Sequence, residues 1–357
     1  MVHDTAARHR LPRLEGYGRS NSMISRQFLT SRLGAVAGAA ALGLTFATAL
    51  ANSAEARDLR LLSGWDSSYV AVDHVLHPFL EALDEAVAED LSVTVMGPET
   101  VPPFEQFDPV SRGLFDLLFT NGAYHFNETS VGMALDGITG DTETLRAAGI
   151  WDAVDAEYQA LGLKLVAVLY DLNGYHIMLK EPLGENGLQG RRVRGTPIYH
   201  PAINVLGGSP VVLPGGEIYP ALERGVIDGA AWPTIGAMSY RWFEVADYIM
   251  RPTFGQVGHL VLMNIDTWNG LSDDTRAEIE SAARAFEIEA NGLFDTLVAD
   301  ESAALEEAGM SVTELSDSLA ETLGQAWFSG VFDLAGTQSP KAIEEMRGLA
   351  TEAGLGD

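Results

Sequence analysis

GLQGRRVRGTPIYHPAINVLGGSPVVLPGGEIYPALERGVIDGAAWP, Gly187–Pro233, sets three arginines within four residues of a chain that otherwise avoids basic side chains. The sequence has 357 residues, with 22 Lys plus Arg against 50 Asp plus Glu. ArgValArg (Arg192 to Arg194) reads as a strand, so Arg192 and Arg194 point to one face while Arg191 and Val193 point to the other. A turn at Gly207-Gly208, a short apolar run at Pro210–Pro214 and a helix from Glu217 to Gly225 follow.

The pattern of layered α/β structure extends on both sides. Strands are expected at Asp58–Ser63, Leu91–Met96, Phe115–Thr120, Leu163–Tyr170, Tyr175–Leu179 and Val257–Ile265. Tyr69–Glu89 carries Val72, Val75, Leu76, Phe79, Leu80, Leu83 and Val87 on one helical stripe. Ser272 caps a second helix reaching about Ala308, with Asp273 and Asp274 in its first turn, where the helix dipole favours anions. Its stripe runs Ile279, Ala283, Phe286, Ala290, Leu293 and Leu297. At 1.5 Å per residue such a helix is roughly 50 Å long, more than one lobe, so it is expected to span two. These elements predict helices layered on mainly parallel sheets, with the chain crossing between lobes more than once.

Residues 1–56 read as an extension and an export signal. Arg26 and Arg32 precede an apolar run, Leu33–Leu50, followed by small-residue cleavage sites ending at Ala51 or Ala56. Met1 and Met23 both stand as possible starts. This predicts an exported protein with no stable membrane insertion after cleavage. That segment carries six Arg and three acids, so the remainder has 16 basic residues against 47 acidic, a net of −31. Such a field repels nucleic acid and anionic lipid, which excludes both as partners. Cysteine is absent, which rules out thiol catalysis and disulfides.

Three fragments within Gly187–Pro233 carry a family resemblance. They are Leu188-x-Gly190-x-Arg192-Val193-Arg194, Leu206-Gly207-Gly208-Ser209-Pro210-Val211, and Glu217-Ile218-Tyr219-Pro220-Ala221-Leu222 running to Gly225 and Asp228-Gly229. With Asn264–Ala283 they resemble the DctP-like solute-binding proteins of tripartite ATP-independent periplasmic (TRAP) transporters. The resemblance implies a two-lobed periplasmic-binding-protein fold with crossing strands and a long helix. Lobe I is expected over 57–173 and 261–300, and lobe II over 174–260 and 301–357. It also implies a small organic acid as ligand, small and large membrane permease subunits as partners, and no catalysis.

Arg194 occupies the position of the family's carboxylate-pairing arginine, and a planar guanidinium suits that role. Trp232 is expected either to cover the solute body or to join the core. Asn121, Tyr124 and, less directly, His125 fall where relatives place first-lobe contacts; Trp65 follows the first strand and is read either as contact or as core. His176, with Tyr175, lies near the place where some members carry a second arginine, and its absence points to a monocarboxylate. Ala230-Ala231 stands where metal-assisted relatives have Glu, so neither metal nor cofactor is expected. A receptor of another transporter or sensor class is the competing reading. An exported hydrolase or lyase is more remote, because no HExxH, Gly-x-Ser-x-Gly or phosphate-loop motif is present.

Overall fold

The computed structural model describes residues 57–87 and 91–356. The export-signal reading of 1–56 and the end of the helix expected to reach Glu89 lie outside the described residues.

The first sheet has the order β2-β1-β3-β10-β4. Its strands are β1 (Arg57–Ser63), β2 (Leu91–Met96), β3 (Leu117–Thr120), β4 (Leu163–Asp171) and β10 (Val257–Asn264). The second has the order β11-β9-β5-β8-β6-β7. It comprises β5 (Tyr175–Leu179), β6 (Arg192–Arg194), β7 (Ser209–Val211), β8 (Gly229–Pro233), β9 (Tyr248–Arg251) and β11 (Ser311–Glu314). Both sheets are mixed, where mainly parallel ones were expected. β10 returns from the second sheet and inserts antiparallel to both β3 and β4. β5 likewise runs antiparallel to β8 and β9. The chain thus crosses between the two layers at Leu172–Gly174, at Pro252–Gln256 and along the long helix, giving two lobes.

The helices are α1 (His77–Ala86), α2 (Phe107–Ser111), α3 (Val131–Leu135), α4 (Thr142–Ala147), α5 (Ile150–Ala160), α6 (His200–Val205), α7 (Ile218–Glu223), α8 (Ile265–Asn269), α9 (Asp273–Glu307), α10 (Asp317–Gly336) and α11 (Pro340–Glu352). The first expected helix is divided: a π-helical turn, Val72–Leu76, precedes α1. Pro78 has no N–H to donate and its ring crowds the preceding turn, so a wider turn is a natural entry. Phe79 packs edge-on against Phe286 of α9 at 5.5 Å.

The Ser272 side chain accepts the Thr275 N–H and opens α9, which runs 35 residues, about 52 Å. Its buried stripe continues through Phe294 and Leu305, while Leu293 and Leu297 are half-buried. Two glutamates lie on that stripe. Glu287 accepts the Val168 N–H of β4 at 2.9 Å and pairs with Arg146 at 2.8 Å. Glu301 accepts the Met238 N–H, beyond β8, at 2.8 Å. Burial raises both carboxyls above the usual range. Seven-residue spacing through Glu287, Phe294 and Glu301 keeps them on one face, fastening the helix to both lobes.

Candidate functional site

Between the sheets lies a cavity lined by Trp65, Asn121, Tyr124, Tyr175, Arg194, Thr196, Tyr199, Trp232, Pro233 and Val257. Its enclosed volume is about 10 Å³, close to the minimum for one water. The walls nearly meet.

From the first lobe, Trp65 follows β1 in a turn in which the Ser63 hydroxyl donates to the Trp65 carbonyl at 2.7 Å and accepts its N–H at 3.2 Å. Tyr124 lies in a 3-10 turn whose cap is Asn121, the Asn121 Oδ1 accepting the Ala123 N–H at 2.9 Å. That turn presses on α3 at Gly122, where an added Cβ would sit 2.0 Å from the Gly132 carbonyl carbon, so only glycine fits. Trp65 meets Tyr124 at 5.5 Å and Tyr69 at 5.3 Å between ring centroids.

From the second lobe, β6 delivers Arg194, and the turn Pro197–Tyr199 delivers Tyr199 immediately afterwards. β8 delivers Trp232, whose indole meets Trp242 edge-on at 5.0 Å. Gly236, at φ +107°, passes this indole so closely that an added Cβ would lie 3.0 Å from Trp232 Nε1 and 2.7 Å from the Tyr69 ring.

Arg194 is wholly buried. Its Nε donates to the Leu213 carbonyl at 2.9 Å and its Nη1 to the Ala231 carbonyl at 3.1 Å, while Nη2 has no hydrogen-bond partner. Its guanidinium carbon stands 5.0 Å from the Trp232 ring centroid. Among the described residues no carboxylate pairs with it. Burial raises the Tyr124 and Tyr199 phenols, and Arg194 draws both back part of the way. Its strand neighbours are occupied elsewhere: Arg192 pairs with Asp228 at 3.3 Å, and Arg191 Nη1 donates to the Glu181 carbonyl at 2.6 Å.

A second polar cluster stands behind Tyr175 and Asn121. The buried Asp136 carboxylate accepts the Tyr175 hydroxyl at 2.6 Å, Asn121 Nδ2 at 2.8 Å and the Gly258 N–H at 2.8 Å. Burial pushes its pKa up to about 7, against those three hydrogen bonds.

Six of the seven residues singled out in the sequence line this one cavity: Arg194, Trp232, Tyr124, Asn121, Trp65 and Tyr175. His176 stands outside the lining. Its Nδ1 lies 3.4 Å from Arg251 Nη1, and burial, then Arg251, pushes its pKa down to about 3. His125 is packed against Phe107, with its Nε2 at 2.7 Å from the Tyr158 hydroxyl. Thr196, Tyr199, Pro233, Val257 and the supporting Asp136 were not anticipated. Thr196 and Tyr199 lie within five residues of Arg194, and proximity to that strand end is the signal that would have found them. Among the described residues no group of three or more His, Asp or Glu is arranged to hold a metal ion.

Residues 139–327 match the family described as DctP, bacterial extracellular solute-binding protein, family 7. The chain belongs to that family. A 183-residue stretch is 29% identical to the C4-dicarboxylate-binding periplasmic protein DctP of Rhodobacter capsulatus, covering 44% of this chain and 54% of that protein. The chain thus spans about half the length of this curated relative. In three dimensions it is similar to a Bordetella pertussis extracytoplasmic solute receptor binding pyroglutamic acid, with TM-score 0.71 and 17% identity over 83% of this chain and 100% of that one. A TRAP periplasmic solute-binding protein of Roseobacter denitrificans, with bound β-D-glucuronate, gives TM-score 0.70 and 20% identity over 84% and 100%. The two-lobed architecture of DctP-family proteins is therefore shared. Among the described residues no helix is long and apolar enough to cross a membrane.

Proposed function

We propose that this DctP-family chain is the periplasmic receptor of a TRAP transporter, and that it captures a small organic acid between lobes divided near Asp171–Gly174, Pro252–Gln256 and α9. The observation that carries this reading is Arg194: a permanently charged group, fully buried, without a carboxylate partner among the described residues, at an inter-lobe cavity. An isolated buried cation is costly, and a solute carboxylate is the natural complement. Opening admits the acid, the guanidinium and aromatic walls hold it, and the ligand favours closure through its higher affinity for the closed form. The closed receptor then docks on the small and large permease subunits, and the acid leaves chemically unchanged.

The test is a thermal-shift screen against a carboxylate panel, followed by calorimetry of the hit. A ligand at 100 times its Kd adds ~2.7 kcal/mol of stability. Arg194→Ala is expected to weaken binding by more than tenfold, since a charge-assisted bond contributes ~1.5–3 kcal/mol. Unchanged affinity would remove Arg194 from the site. Chemical change of the acid on incubation, read by NMR, would favour an enzyme instead.

A further inference from the structure

The cavity wall is unbalanced in its hydrogen bonding as well as in its charge. Buried side-chain N–H groups without partners include Arg194 Nη2, Trp65 Nε1 and Trp232 Nε1, and all three residues line the cavity. All three groups are donors. The carbonyl and carboxylate acceptors nearby are engaged, while the Tyr124 and Tyr199 hydroxyls lie against Arg194 and can accept as well as donate. Asn121 Oδ1 takes the Ala123 N–H, and the Leu213 and Ala231 carbonyls take Arg194. Asp136 takes Tyr175, Asn121 and Gly258. Among the described residues no carboxylate lines the cavity, and Arg194 is the one Lys or Arg in its lining. The Tyr124 and Tyr199 hydroxyls face the guanidinium, and Tyr199 is held by Tyr175 edge-on at 4.8 Å.

Resting on the receptor reading above, we propose that this donor-rich cavity selects compact monocarboxylates whose remaining polar atoms accept hydrogen bonds, 2-oxo and 2-hydroxy acids, and rejects the matching 2-amino acids, with Tyr199 and Tyr124 reading the difference. A carboxylate satisfies Arg194. A neighbouring oxo or hydroxyl oxygen accepts from a phenol. An ammonium in the same place loses its hydration, faces the Arg194 charge and finds no anionic side chain. Discrimination of this kind is strong, because the wrong ligand leaves buried polar groups on both sides unmatched. A second carboxylate has no second cation to meet, so dianions are disfavoured as well.

The experiment is calorimetry with three acids on one carbon skeleton: 3-methyl-2-oxobutanoate, 2-hydroxy-3-methylbutanoate and valine. The oxo and hydroxy acids are expected to bind, with valine at least thirtyfold weaker. Tyr199→Phe keeps the ring and its packing; it is expected to weaken the oxo acid three- to tenfold with the urea midpoint unmoved, and Tyr124→Phe provides the same reading from the opposite lobe. Valine binding as tightly as the oxo acid overturns the proposal, as do two phenylalanine variants that both bind like wild type. If none of the three binds while another acid from the panel does, this selectivity is wrong and the receptor reading stands. If no acid of any kind stabilises the protein, both fall.

Discussion

Arg194 lines the cavity and Asp136 stands behind its wall; both are fully buried ionisable groups of opposite type, yet the fold has completed only one of them. Around Asp136 every contact is closed: a phenol, an amide and a backbone N–H from three separate segments converge on its carboxylate. Around Arg194 two carbonyls are engaged, one nitrogen is left over, and among the described residues no carboxylate pairs with it. A saturated buried cluster ties structure together, whereas an unmatched buried charge is a cost the fold carries for another purpose. On the proposed reading, that difference separates the support of the cavity wall from the group that meets the solute.

The largest test of that distinction is Asp136→Ala. It strands three donors, and unfolding in urea should show a loss of about 3 kcal/mol or more. A loss below 1 kcal/mol would mean that the Asp136 cluster is not structural.

Acid titration comes next. The Asp136 carboxyl has a folded pKa of about 7, above its ordinary 3.8, so its contribution is most favourable at low pH and is lost as pH rises through about 7. The buried histidines have the opposite sign. Burial pushes His125 and His176 down to about 3 and His259 down to about 4, so their stabilisation is present above pH 6.5 and is lost as pH falls below it. Between pH 7 and 5 the two effects oppose each other. Asp136→Asn should therefore lose about 2 kcal/mol more than wild type over that interval, by urea midpoints at each pH. Parallel pH curves for the two proteins would contradict the assignment.

Arg194→Met should behave unlike Asp136→Ala. Without solute, its unfolding free energy is expected to stay within about 1 kcal/mol of wild type, since an uncompensated charge is replaced by a well-packed apolar chain. A loss matching that of Asp136→Ala would make both residues structural and erase the contrast. Smallest of all is Arg192→Ala. Its pair with Asp228 is roughly half exposed, so a change of at most about 1 kcal/mol and unaltered solute affinity are expected.

Periodicity exposed α1, α9 and most first-sheet strands, because long amphipathic stripes and β-branched runs state their own geometry. It did not expose β8, where GAAWP offers small residues and no alternation, although that strand delivers Trp232. The buried glutamates of α9 carry no mark in the apolar stripe, since only their partners, Val168 and Met238, make them interior. Arg194 was legible because it stands in a motif. Asp136 was not, because its meaning comes from Asn121, Tyr175 and Gly258, which are distant in sequence and converge only in the fold. Tyr199 lies outside the motif fragments, in the 3-10 turn Pro197–Tyr199, and only the fold brings its ring to the cavity.

Glu287 and Glu301 pin a single rod near its middle and toward its far end, one to each half of the molecule. If the halves swing apart as proposed, that rod has to flex or one rivet has to slip. Deuterium uptake at the Val168 and Met238 amides, compared with and without a captured acid, would therefore tell which end yields.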